Sequence, residues 1–350
     1  MTAVELVVLA LIVIGSVIAL VLLVIITNGL IESHRDRLEP SLVDVREAIL
    51  TAVSGEESTA AEIIGKASGF SKRYIVDVML DLAPSVEGTS RTILVSLAER
   101  IGVVRRARKG VRSRRWSTRL YSARVLTAFG VDSEDCYPLF SDKSPEVRAQ
   151  AAAWAVACTS AKAIELLIVL LDDSAGQCSF AAQDAFIRIG LRGTEPLMDA
   201  LTTANEDVVR RILEIAVATS DDRFYAQALS LSADPSPATR ALAASVLACS
   251  GHPSAGGDLV ALLGDPSDDV VLAAASGLQK LSYWPGAASV EPLLDHEWWE
   301  LRKQAGLTLL ALGAPGEILL RVNSPGDGPA AEMAVQALEL RSATAEREAA

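Results

Sequence analysis

Nine Lys or Arg residues and no Asp or Glu lie between Arg100 and Arg119, in the run RIGVVRRARKGVRSRRWSTR. A run this dense in cations can hold phosphate groups, of lipid or of nucleic acid, or an acidic protein surface. Arg105, Arg106, Arg108, Lys109, Arg112, Arg114 and Arg115 are the candidate contact residues, and a solvated connecting loop is the plain alternative. The chain as a whole carries −12, so setting these nine cations aside leaves −21 for the remainder. That acidic remainder repels nucleic acid, which makes nucleic acid a weaker partner for the run than lipid or protein. Trp298 and Trp299 are adjacent. On a helix their side chains diverge by about 100°, so both cannot enter one buried stripe, and the pair is a candidate partner contact. Trp154 and Trp284 read as core or turn packing.

Other chemistry is thin. The three histidines, His34, His252 and His296, do not cluster with the four cysteines. Cys136, Cys158, Cys178 and Cys249 are separated by 22, 20 and 71 residues, without a C-x-x-C pair. Such thiols read as reduced, buried small hydrophobes. There is no P-loop, G-x-S-x-G, H-E-x-x-H or dinucleotide fingerprint, so no catalytic, metal or cofactor residue is assigned and the chain is not read as an enzyme.

The elements that position these residues are helical and repeated. Half of the residues are apolar but only 5% are aromatic. This Ala, Leu and Val composition suits closely packed helices better than sheets. DKSPEVRAQAAAWAV, DPSPATRALAASVLA and DPSDDVVLAAASGLQ are variations on one pattern, beginning at Asp142, Asp234 and Asp265. Anchored on the Arg, a ladder runs Arg119, Arg148, Ser179, Arg210, Arg240, Val271 and Arg302, in steps of 29, 31, 31, 30, 31 and 31 residues. Three residues after each stands Ser122, Ala151, Ala182, Leu213, Ala243, Ala274 or Ala305. Seven after stands Leu126, Ala155, Phe186, Val217, Leu247, Leu278 or Leu309. Those spacings share one helical face, and small side chains there allow helices to approach closely. Six residues before the ladder lie Asp142, Asp173, Asp234 and Asp265, a turn and N-cap signature, with Pro145 or Pro235 fitting a first turn. The preceding helix of each hairpin reads AIELLIVLL, EPLMDAL, GDLVALL, SVEPLL and GEILL.

This combination resembles HEAT repeats over Arg114 to Leu340. The resemblance implies an all-α solenoid in which Asp and Arg form a hydrogen-bonded ladder between successive turns. Asp142 with Arg148 and Asp234 with Arg240 match both positions, and Arg210 and Arg302 match one. Units with Ser179, Ala204, Val271 or His296 depart from the pattern and should interrupt the ladder. Deoxyhypusine hydroxylases have similar repeats but bind iron through several His-Glu pairs, and here His296-Glu297 is the one such pair. Phycobilin lyases are similar as well, without a bilin pocket legible here. Helical runs at Leu42 to Val53, Tyr74 to Leu82 and Thr92 to Ile101 belong to a degenerate region before the array.

From Leu6 to Ile26, 21 residues carry no charge. As a helix they span about 31 Å, the hydrocarbon thickness of a bilayer. Glu5 precedes the run in place of a positive n-region, and Arg35, Arg37 and Arg46 follow it, so a single span with the N-terminus outside is expected. Gly15 and Ala19 are one small-x-x-x-small pair. The expected organisation is a transmembrane helix over 1–30, a juxtamembrane helical region with the basic connection over 31–113, a HEAT-like array over 114–340 and a disordered tail over 341–350. The expected role is a scaffold at the cytoplasmic face of the plasma (inner) membrane, holding an unidentified protein such as another membrane protein. The rival readings are a lyase-type enzyme or maturation factor with a site in the concave groove, and an anionic-lipid-binding module.

Overall fold

The computed structural model describes residues 46, 47, 49–51, 53, 69–158 and 160–349. The expected membrane span, Leu6 to Ile26, and the pair Gly15 and Ala19 lie outside them. Among the described residues every regular element is helical, and no helix is long and apolar enough to cross a membrane. The chain divides into two compact units, Met1–Val131 and Asp132–Ala350. The ladder helix at Arg119 falls in the first unit.

In the first unit, α1 (Gly69–Leu82), α2 (Gly88–Arg100), α3 (Val103–Gly110) and α4 (Trp116–Ala128) pack each on the next. Arg91 of α2 fastens two of them, donating to the Ala83 carbonyl at 3.1 Å and to the Ala128 carbonyl, at the end of α4, at 3.2 Å. The expected helical runs at Tyr74 to Leu82 and Thr92 to Ile101 fall in α1 and α2.

The second unit is a stack of hairpins. Its second helices are α5 (Pro145–Ala157), α7 (Gly176–Ile189), α9 (Glu206–Thr219), α11 (Pro237–Cys249), α13 (Asp268–Leu281) and α15 (Trp299–Ala311). They are interleaved with the first helices α6 (Ala161–Leu171), α8 (Thr194–Leu201), α10 (Tyr225–Leu231), α12 (Ala255–Leu262) and the short α14 (Ala287–Val290). Each second helix packs on the next, from α5 to α15, and α16 (Ala314–Asn323) and α17 (Pro329–Ala349) end the stack. The stretch SVEPLL does not form a full helix: after Val290 it tightens into a 3-10 turn, Glu291–Asp295, around Pro292. Pro removes an amide donor and cannot continue the α ladder.

The repeat pattern is the packing pattern. Every residue three after the ladder position is buried, from Ser122 to Ala305, and so are six of the seven at plus seven, Val217 being half-buried. Gly277 marks how close two second helices come, since a Cβ there would lie 2.9 Å from the Ala248 Cβ. The helix start follows Pro145 as expected, but in the α11 unit Pro237 occupies the first turn, and Pro235 lies before the N-cap Ser236. The closing helix runs to Ala349, so 341–349 carries helical backbone where a frayed tail was expected. Its Ala- and Glu-rich sequence has high helix propensity.

Candidate functional site

The Asp-Arg residues assemble across repeats, not within them. Arg148 grips the carboxylate of Asp173 in the following repeat with Nε at 2.6 Å and Nη2 at 2.8 Å. Its Nη1 donates to the backbone carbonyl of Asp142, in its own turn, at 2.7 Å. Arg240 does the same, with Nε and Nη2 both 2.8 Å from the Asp265 carboxylate and Nη1 2.9 Å from the Asp234 carbonyl. In each turn the Asp Oδ1 also accepts an amide two residues on, from Ser144, Ala175, Ser236 or Ser267 at 2.8–2.9 Å. One side chain thus closes the turn and, where an Arg precedes it by 25 residues, ties two repeats with a bidentate, charge-assisted pair. The Arg148 guanidinium holds the Asp173 carboxyl below its ordinary range, and Arg240 does so for Asp265.

The departures follow from that geometry. Ala204 stands 25 residues after Ser179, and His296 stands 25 after Val271, so donor and acceptor are missing together. His296 keeps the turn: its Nδ1 accepts the Trp298 amide at 3.1 Å, and its carbonyl takes Arg302 Nη1 at 2.7 Å. Arg210 departs from expectation. It pairs with Asp207, three residues earlier on its own helix, and not with Asp234.

A lock with no signal in the repeat pattern stands between α9 and α10. Asp221, buried, accepts Thr194 Oγ1 at 2.5 Å and the side chain of Arg223 at 2.7–3.2 Å. Arg223 Nη2 also donates to the Leu191 carbonyl at 3.0 Å. The Arg223 guanidinium foremost, with Thr194, drives the Asp221 carboxyl down to about 2 against the cost of burial.

The basic run is helical over its first part and a turn over 111–115. Residues 103–110 form α3, with Val103, Val104, Ala107 and Val111 buried and Arg105, Arg106, Arg108, Lys109 and Arg112 exposed. The apolar residues recur at helical spacing, so the cations are forced onto the opposite face. Arg114 and Arg115 are exposed at the start of α4. Arg119 turns inward on its own segment, donating to the Ser113 and Arg114 carbonyls at 2.9 and 3.1 Å. Beside the cationic face lies a groove of about 700 Å³, with walls from Val76, Ala107, Val125 and Tyr121 and with Arg106 on its lining.

Trp298 and Trp299 part as their spacing requires. Trp298 is the half-buried N-cap of α15. Trp299 is 47% exposed, with the Lys303 ammonium 5.0 Å from its ring centroid. Trp154 is fully buried, whereas Trp284, at a turn, is exposed. Cys136, Cys158 and Cys178 are buried, and burial raises the Cys158 and Cys178 thiols. Cys249 is half-buried with the Lys280 ammonium 2.8 Å from its sulfur. Among the described residues no group of three His, Cys, Asp or Glu is arranged to hold a metal ion.

Residues 226–311 match the family model of HEAT repeats. The hairpin array is HEAT-like. No curated protein matches the chain. Similar solved structures include an engineered protein, 17% identical, covering 85% of this chain and 98% of that one with a TM-score of 0.39. Kap121p, 12% identical, covers 87% of this chain at a TM-score of 0.42, and this chain spans 45% of its length. The complex of CpcE and CpcF of phycocyanin lyase from Nostoc sp. PCC7120 is 16% identical, covering 67% of this chain and 93% of that one at a TM-score of 0.32. These likenesses are too distant to carry function across.

Proposed function

We propose that the chain is a scaffold that holds a protein partner on its HEAT-like array, tethered by its opening apolar run so that the array lies at the cytoplasmic face of the membrane. The observation that carries the docking role is on α7. Its small residues are consumed by stacking, while Phe180, 72% exposed, and Ile187, 42% exposed, stand one above the other at a spacing of seven. Large apolar side chains left uncovered in a row on a stacked helix are the anchors such a surface uses. Support for the tether comes from the uncharged stretch Leu6 to Ile26 and the Arg35, Arg37 and Arg46 that follow it.

The test is purification of the cross-linked full chain from detergent-solubilised membranes. A stoichiometric partner should be recovered with the native chain and lost with Phe180→Asp/Ile187→Asp. No stoichiometric partner under several conditions, or one indifferent to that pair of substitutions, would remove the docking reading. Release of the chain from membranes by alkaline carbonate would remove the tether.

A further inference from the structure

The cations of α3 are aligned and uncompensated. Viewed down the helix, Arg105, Arg108 and Lys109 fall within about 100° of one another, with Arg106 on the flank toward the groove. The side chains of Arg105, Arg106, Arg108 and Lys109 make no hydrogen bond or ion pair with any described residue. This contrasts with Arg148 and Arg240, which are fully engaged by carboxylates. A stripe of like charges repels itself unless an anionic surface lies against it.

The face is also not simply cationic. The adjoining groove offers apolar walls at Val76, Ala107 and Val125, with the exposed ring of Tyr121 and the hydroxyls of Ser117 and Thr118 near Arg106. Arg106, the one cation on the lining of these apolar walls, matches a molecule with an anionic phosphate head and an apolar body, and the stripe around the helix from it matches the anionic surface in which such heads lie. A free phosphate would use the first feature and leave the second empty, and a nucleic acid phosphate backbone would do the same.

We propose that the α3 face and its groove dock an anionic phospholipid of the bilayer to which the chain is tethered. The choice of a bilayer source rests on the tether proposed above. The tether supplies proximity and α3 supplies preference for an anionic leaflet, each cation near the surface adding roughly fivefold to the association.

The experiment is hydrogen exchange, read by mass spectrometry, on the full chain with vesicles of phosphatidylcholine alone or with one third phosphatidylglycerol. Exchange across residues 103–122 should slow about tenfold or more with phosphatidylglycerol only, and molar salt should reverse the effect. The quadruple variant Arg105→Glu/Arg106→Glu/Arg108→Glu/Lys109→Glu should lose it. The variant Arg105→Lys/Arg106→Lys/Arg108→Lys should keep it, separating charge from any damage to the fold. Equal exchange in both vesicles, protection surviving in the Glu variant, or protection by an oligonucleotide but not by phosphatidylglycerol would overturn the proposal. Failure of the tether is a separate result, since the chain would then not associate with pure phosphatidylcholine vesicles, whereas failure of this proposal leaves that association intact.

Discussion

Arginine does two different jobs in the two units. In the second unit Arg148 and Arg240 are mostly covered, each fixed by two bonds to a carboxylate one repeat away and a third to a turn carbonyl. In the first unit Arg105, Arg106 and Arg108 lie on a helix of ordinary packing, with their guanidinium groups exposed. The difference teaches that an Arg recurring at the repeat period becomes a fastening where the next turn brings it a carboxylate, as at Arg148 and Arg240 but not at Arg210, while Arg residues clustered inside one helix are a surface. Residue type alone does not separate them, because the deciding quantity is whether a carboxylate arrives at the same place.

That contrast can be broken most directly at a rung. Asp173→Ala leaves the Arg148 guanidinium without its carboxylate and opens the turn at Ala175, so urea unfolding should show a loss of about 2–3 kcal/mol. If the loss is no larger than for an exposed charge, the rungs are not fastenings. Because Asp173 is held below its ordinary range when folded, its contribution is present above the unfolded carboxylate value and fades as pH falls through the folded one.

A somewhat smaller effect is expected at the lock between α9 and α10. With Asp221 moved from 3.8 to about 2, its ionised form contributes about 2 kcal/mol at neutral pH. The sign follows from the downward shift, so this stability is complete well above 3.8 and disappears as pH falls from 3.8 toward 2. Asp221→Asn should therefore flatten the acid limb of a stability-versus-pH curve and cost most at neutral pH. An unchanged acid limb would mean that the cluster contributes nothing.

The smallest effect belongs to the first unit. Arg105→Ala/Arg108→Ala removes two exposed cations that hold no described residue, and thermal or urea unfolding should shift by no more than about 0.5 kcal/mol. A loss comparable to that at Asp173 would show that α3 uses these residues for its own fold and would erase the contrast between the units.

Much of the array is legible in the chain because stacking imposes a local rule. A helix that meets a neighbour on each side needs a small residue at plus three and an apolar one at plus seven, and those residues can be counted without knowing the fold. The α3 helix was obscured although its signal was present. Val103, Val104, Ala107 and Val111 have helical spacing, but nine cations and the flanking Gly102 and Gly110 mask it. The Asp221 lock was hidden for another reason: Thr194 and Asp221 lie 27 residues apart at the ends of different elements, outside the helix face that the repeat period marks.

The sequence by itself determined the repeat length, the buried face of each second helix, the turn acids and the segregation of positive charge, because periodicity, propensity and charge are properties of short stretches. Only the tertiary structure decided that Arg148 and Arg240 reach forward to Asp173 and Asp265, that Arg210 stays with Asp207, and that Asp221 is held by Arg223 and Thr194. Those choices depend on which side chains adjacent hairpins bring within about 3 Å of each other, a distance set by the packing of whole helices rather than by any one of them.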